Sequence, residues 1–168
     1  MPPRPLVIFP DPRLAAVAAP VEHFDAALAA LAGDLADTMR AAPGIGITAP
    51  HIGVMQRVVV LDLPDDATPA VYVNPVLLGV SEERIRHAEG SVSMPGVSEE
   101  VERAQRVRVG YQDLSGAFHE EEAEGLRAVC HQHEIDQLDG RFWLQSLSRL
   151  KRERTIRRYD KLRRARRP

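Results

Sequence analysis

The sequence predicts one α+β domain. Three observations carry that reading. The 168 residues suit one compact unit, here 1–168, rather than two. A helical period near the N-terminus gives way to a block of short strands and then to two more helices, the order of a segregated α+β chain. The stretch Ala128-Val129-Cys130-His131-Gln132-His133-Glu134-Ile135-Asp136-Gln137-Leu138-Asp139-Gly140 reads as a helix with chemistry on one side.

The composition supports a packed core: 44% hydrophobic and 27% charged residues. No apolar run reaches the roughly 18 residues of a membrane span. Met1-Pro2-Pro3-Arg4-Pro5 is followed only by a short apolar run, Leu6 to Phe9, so no signal peptide is read there. A lone Cys130 cannot form an internal disulfide, which fits a reducing cytoplasm. The net charge of −2 hides an asymmetry. Residues 149–168 hold eleven Lys/Arg against Glu153 and Asp160, a segment of +9, leaving −11 for the rest. An acidic body with a basic tail points to an anionic partner for the tail.

Residues 6–22 read as a loop punctuated by Pro10, Pro12 and Pro20. Asp25 is placed to cap a helix running to about Arg40, with Leu28, Leu31, Leu35 and Met39 at helical spacing. Gly44 to Ala49 matches a Gly-x-Gly-x-x-Ala nucleotide fingerprint. That reading fails, because a helix precedes it and Pro50 blocks the helix that should follow. Val58-Val59-Val60-Leu61 and Val71-Tyr72-Val73 read as strands, the second stopped by Asn74-Pro75. His87 to Ser93 reads as a third. Val101 and Val107 to Tyr111 form a further strand, turned by Asp113-Leu114-Ser115-Gly116 into Ala117-Phe118-His119-Glu120. The central helix is expected to begin near Glu121 to Glu124, where acidic residues suit its positive end. It should stop at Asp139-Gly140. Phe142-Trp143-Leu144 should cover the core, and a basic helix follows from about Leu147.

His133, Glu134 and Gln137 lie at i, i+1 and i+4, so His133 and Gln137 stack one turn apart. A His-Glu-x-x-His helix performs metal hydrolysis with this layout: two imidazoles hold the ion and the Glu takes a proton from water. Here the fifth position is Gln137. Cys130, one turn before His133, reads as part of a small apolar wall with Leu126 and Val129. His131 should face solvent, and His23 and His119 show no partner.

Three motifs stand in order: Gly44-Ile45-Gly46-Ile47-Thr48-Ala49-Pro50-His51-Ile52-Gly53, Glu89-Gly90-Ser91-Val92-Ser93 and Gln132-His133-Glu134-Ile135-Asp136-Gln137. Together they resemble the peptide deformylase family, whose patterns are Gly-hydrophobic-Gly-Leu-Ala-Ala-Pro-Gln-x-Gly, Glu-Gly-Cys-Leu-Ser and Gln-His-Glu-x-Asp-His. The resemblance implies antiparallel sheets around the central motif helix, with an N-terminal helix and a basic C-terminal helix. It implies removal of the formyl group from N-formylmethionyl peptides at Fe²⁺ or Zn²⁺ held by one Cys and two His. The position of the Cys ligand is Ser91, that of the first His is His133, and that of the second His is Gln137. The general base is kept as Glu134. The oxyanion Gln is His51, and the backbone donor is the N–H of Val92. Ile45, Gly46, Leu126 and Val129 fall on the substrate pocket, His87 just ahead of the second motif makes it more polar, and Glu89 and Arg103 match a structural pair.

The substitutions weaken metal binding. A hydroxyl or amide oxygen is a poorer donor to these ions than thiolate or imidazole. Each ligand is worth on the order of 3 kcal/mol, so two losses weaken binding by roughly 10⁴-fold. The expectation is no tightly bound metal, and little or no deformylase activity. One alternative is an active amidase in which His51 and His133 rebuild a site with Glu134 or Gln137. Another is a non-catalytic protein that engages nascent peptides, or the ribosome through the basic tail. DNA and membranes are not expected partners.

Overall fold

The computed structural model describes residues 2–166. Helix α1 spans Ala26–Ala41, and the Asp25 side chain accepts the Leu28 N–H at 3.0 Å, the cap that the sequence predicts. Leu28, Leu35 and Met39 are buried on its inner face. Seven strands follow: β1 (Gly46–Thr48), β2 (Val58–Leu61), β3 (Ala70–Val80), β4 (Arg84–Ser91), β5 (Met94–Ala104), β6 (Arg106–Gln112) and β7 (Phe118–Glu124). Helix α2 spans Leu126–Leu138 and helix α3 spans Arg149–Ala165. One sheet has the order β1-β2-β3-β6-β7; the other is the hairpin β4-β5. Every pairing between these strands is antiparallel. Helix α2 packs against strands of both sheets. The expected arrangement of antiparallel sheets around a central helix is therefore present. Among the described residues no helix is long and apolar enough to cross a membrane.

Several local readings change. Asn74-Pro75 does not stop β3. Asn74 takes φ +51°, and its amide bonds both backbone groups of Val21 and the Gln112 side chain. A register shift between Val73 and Val76 absorbs the missing N–H of Pro75, so the strand runs on. The strand read from Val101 through Tyr111 is two strands in two sheets. The break falls at Gln105, where the Gln132 amide clamps both backbone groups of Ala104 at 3.0 and 2.9 Å. The loop 6–22 contains a 3-10 turn, Pro12–Ala15.

The acidic run opens no helix. It is β7, with Glu120, Glu122 and Glu124 exposed and Ala123 buried, the period of a strand. Gly125, at φ +62°, then turns the chain into α2 in a conformation that L side chains rarely adopt. His131 is likewise corrected: it is buried, with Nε2 2.5 Å from Glu121 Oε2. Tyr72 donates to the same carboxylate, and Arg127 donates to the Tyr72 hydroxyl at 2.9 Å while pairing with Asp66. The Tyr72 ring meets His131 and Tyr111 edge-on. The sequence hid this because the partners of His131 lie on other elements. His119 also has a partner, Asp113 at 2.7 Å.

Helix α2 ends just ahead of Gly140, as the sequence predicts. Phe142, Trp143 and Leu144 are buried with Tyr159 of α3, so that segment does cover the core. Gln137 points away from the chemistry expected of it. Its Nε2 donates to the carbonyl of Leu14 at 2.8 Å, fastening the 3-10 turn to α2.

Two tests follow from these contacts. Burial alone would raise the Glu121 carboxyl, but the bond and charge of His131 hold it below its ordinary value. Its contribution is therefore present above the unfolded value of about 4.3 and lost as pH falls through the lower folded value. Glu121→Gln should cost about 1–2 kcal/mol at pH 7, a gap that closes on acidification; urea titrations across pH 3–7 measure it. Gln137→Met keeps the volume but leaves the Leu14 carbonyl without its partner. Urea denaturation should show a loss of about 1–3 kcal/mol.

Candidate active site

Three elements meet over one face of α2. The first is β1 with the 3-10 turn Ala49–Ile52, which carries His51. The second is the end of β4 with the turn from Ser91 to Met94. The third is α2, carrying Cys130, His133 and Glu134. Between them lies a cavity of about 660 Å³. Ile45, Leu126, Val129 and Cys130 line its apolar part, as the sequence reading placed them. His51, Glu89, Ser91, His133 and Glu134 line its polar end, and Gly46, His87 and Val92 complete the wall. Gln137 is not among the lining residues, since its amide is committed to Leu14.

The polar end is built around Arg103. Its guanidinium bonds both oxygens of Glu89, at 2.8 and 2.9 Å, and Asp136 at 2.7 Å. Glu89 in turn lies 2.7 Å from His133 Nδ1. Burial would raise the Glu89 carboxyl, but the bonds from Arg103 and His133 overcome it and hold the group at about 2. An ionised Glu89 only accepts, so His133 Nδ1 is the donor and Nε2 is the nitrogen left for other partners. Burial disfavours the charged His133 ring, but Glu134 and Glu89 outweigh that and raise its pKa.

His51 is held differently. The Thr48 N–H donates to Nδ1 at 2.9 Å, so that nitrogen is an acceptor and the ring's proton sits on Nε2. Burial, with the charge of His133 adding to it, pushes this ring down to about 3, so it is neutral at ordinary pH. Its Nε2 is buried and has no hydrogen-bond partner among the described residues.

Glu134 is a second cavity-lining group with an unsatisfied atom among the described residues. Its Oε2 is buried and unpartnered, and burial lifts its carboxyl to about 7, against the pull of His133. Its Oε1 sits against Gly46, where a Cβ would come within 2.7 Å. Glycine at 46 is thus what lets β1 lie over the carboxylate. Ser91 Oγ accepts the Ser93 N–H at 3.1 Å. Burial pushes the Cys130 thiol up to about 12, so it is a neutral part of the wall. Among the described residues, no three His, Cys, Asp or Glu side chains converge so as to hold a metal ion.

The sequence reading assembled most of this wall and paired Glu89 with Arg103. It missed Thr48, Asp136 and Leu14. Thr48 carried a signal, three residues before His51 at the start of a turn, the spacing of a capping contact. Asp136 lay inside the third motif, three residues past His133. The Leu14 carbonyl left no sequence trace, because a backbone oxygen has no identity to read.

The comparisons with known proteins agree with this geometry. The family model described as polypeptide deformylase matches residues 3–153. A protein of Brucella melitensis biotype 1 named peptide deformylase-like is 65% identical over 161 residues, 96% of this chain and 98% of that one. A peptide deformylase of Mesorhizobium japonicum is 47% identical over 165 residues, 96% and 94% of the two chains. The crystal structure of a peptide deformylase from Legionella pneumophila superposes with a TM-score of 0.92 at 41% identity, covering 99% of each chain. With matching motif order, an α2 enclosed by antiparallel sheets and a family match across most of its length, the chain belongs to the polypeptide deformylase family.

Proposed function

We propose that this chain is a deformylase homologue that has kept the peptide cleft and given up metal-dependent deformylation. The observation that carries the reading is the fate of the three ligand positions. His133 keeps an imidazole aimed by Glu89. Ser91 supplies a neutral hydroxyl in place of a thiolate, and Gln137 bonds the backbone of Leu14. The residues present therefore do not fit iron or zinc, both of which favour several soft or imidazole donors. No step of a reaction is derived through such an ion. A water beside Glu134 keeps a pKa near its bulk value, far above the roughly 7 reached on zinc, and amide hydrolysis stays slow. For the remodelled site built on His51 and His133, Gln137 is engaged with Leu14, and among the described residues Glu134 does not converge with the two imidazoles so as to hold an ion.

A second feature supports an RNA-binding role for α3. Thr155 and Tyr159 pack inward. Arg149, Arg154, Arg157, Lys161 and Arg164 are exposed, a row of cations suited to phosphates. Arg167, counted with the tail in the sequence, lies outside the described residues.

Purified protein dialysed against zinc or iron(II) should hold far less than one ion per chain and release no formate from a formyl-Met peptide. Ser91→Cys combined with Gln137→His should bind zinc about 10⁴-fold more tightly, measured on the folded fraction, since the Leu14 bond is lost. A double variant that folds yet stays metal-free would show that these positions were wrongly assigned. Co-sedimentation with ribosomes should fall steeply between 50 and 200 mM salt, by about 10³-fold or more if six phosphates are contacted. Binding that is indifferent to salt would remove α3 from the interface.

A further inference from the structure

Helix α2 covers the inner face of β6 and β7, where Val107, Val109 and Ala123 are buried with Ala128 and Ile135 of the helix. The opposite face is open. Phe118 is 62% exposed there, Val76 45% and Leu78 39%. All three gather at Gly110. A Cβ on that glycine would come within 2.9 Å of the Phe118 ring and 3.1 Å of Leu78, and Val76 is its partner in register. The bare glycine lets the ring of Phe118 lean from β7 across β6. A contiguous apolar patch in the open marks a protein contact, whereas single exposed residues do not.

The charges beside the patch are sorted by strand. Side chains alternate along a strand, so Arg106 and Arg108 of β6 share this face with Glu120, Glu122 and Glu124 of β7, and all five are exposed. Pairing sets Arg106 opposite Glu124 and Arg108 opposite Glu122. Arg106 bonds Glu83, and Arg108 approaches Glu120 at 4.0 Å. The side chains of Glu122 and Glu124 make no ion pair or hydrogen bond among the described residues. A row of cations beside a row of anions at equal heights is complementary to itself. A two-fold axis running along the strands, between β6 and β7, exchanges the two rows. Each Arg of one copy then meets the Glu of the same rung in the other, in a closed isologous contact. The leaning Phe118 ring comes to that axis and meets its own copy. An axis along β6 would instead stack Arg108 on Arg108, and one across the strands at Gly110 would set Glu122 on Phe118.

We propose that the outer face of β6 and β7 is the interface of a symmetric dimer of this chain. Phe118, Leu78 and Val76 form its apolar centre. Arg106, Arg108, Glu122 and Glu124 form its complementary rim. Apolar burial supplies the affinity, while exposed ion pairs are individually weak and set the register. Stacked sheets cross at about 30°, so the rung near the middle, Arg108 with Glu122, is the best aligned. The face measures about 20 Å along the strands and about 15 Å across them. That is the small end of specific interfaces, so dimer and monomer exchange. None of the residues lining the cavity lies on this face, and each copy keeps its cleft.

The test is sedimentation velocity of the full chain from low to high micromolar concentration. The unaltered chain should pass from monomer to dimer. Arg108→Glu sets Glu against Glu122 at both symmetry-related contacts, and Glu122→Arg sets Arg against Arg108. Each variant alone should dimerise at least tenfold more weakly. Mixed in equal amounts, the two should recover to within threefold of the unaltered chain, because their heterodimer pairs Glu with Arg at both contacts. Damage to either fold cannot produce that recovery. Phe118→Ser, at an exposed position, should also leave a monomer, and it tests the face if a charge variant fails to fold by circular dichroism. A chain that stays monomeric throughout leaves the patch to some other partner and overturns the proposal. So does a dimer indifferent to the three substitutions, or a mixture of the charge variants that shows no recovery.

Discussion

The structure depends on burying a helix that is polar on several sides. Helix α2 contacts both sheets, and nine of its residues are buried, among them His131, Gln132, Glu134 and Gln137. A helix in that position is usually apolar all round. Each polar side chain here must find a partner in the surrounding fold or remain a liability of a few kcal/mol. Gln132 clamps the backbone where the chain changes sheets, His131 meets Glu121 of β7, and Gln137 secures the N-terminal turn. The same contacts that satisfy α2 also tie the strands and the N-terminal segment to it.

That accounting isolates the site. Arg103 joins Glu89 of the hairpin to Asp136 of α2, and Glu89 orients His133. Buried ion pairs of this kind contribute little net stability, because desolvation offsets much of the attraction. Their effect is to hold side chains in one arrangement. With Gln132, Gln137 and the Nδ1 of His133 committed, the unpartnered buried polar atoms that face the cavity among the described residues are Glu134 Oε2 and His51 Nε2. Gln137, on the same helix, spends its amide on a structural bond to Leu14. That bond gives residue 137 a consequence for stability that is separate from any consequence for chemistry.

The readings that survived are local ones. The cap and stripe of α1, the apolar run of β2 and the stop at Gly140 each rest on neighbours in sequence. The readings that failed needed distant partners. Asn74-Pro75 looked like a strand end until the bonds to Val21 and Gln112 made it a bulge. The acidic run looked like a helix start, yet β6 was there to pair with it, and tertiary pairing overrode the local electrostatic preference. His131 looked solvated because its spacing from His133 put it on another face, and that face is buried as well.

By itself the sequence determined the family and the coarse order of one helix, a block of strands and two further helices. These follow from motifs whose residues are close in the chain, so spacing alone carries them. Only the tertiary structure decided what the polar side chains of the motifs bond to. It turned the Gln137 amide to a backbone carbonyl 123 residues away and set the tautomer of His51 through Thr48. It also buried Glu134 Oε2 and His51 Nε2 without a hydrogen-bond partner among the described residues. The reason is physical: partner choice depends on which buried atoms are brought within hydrogen-bond reach, and that is a property of packing between elements.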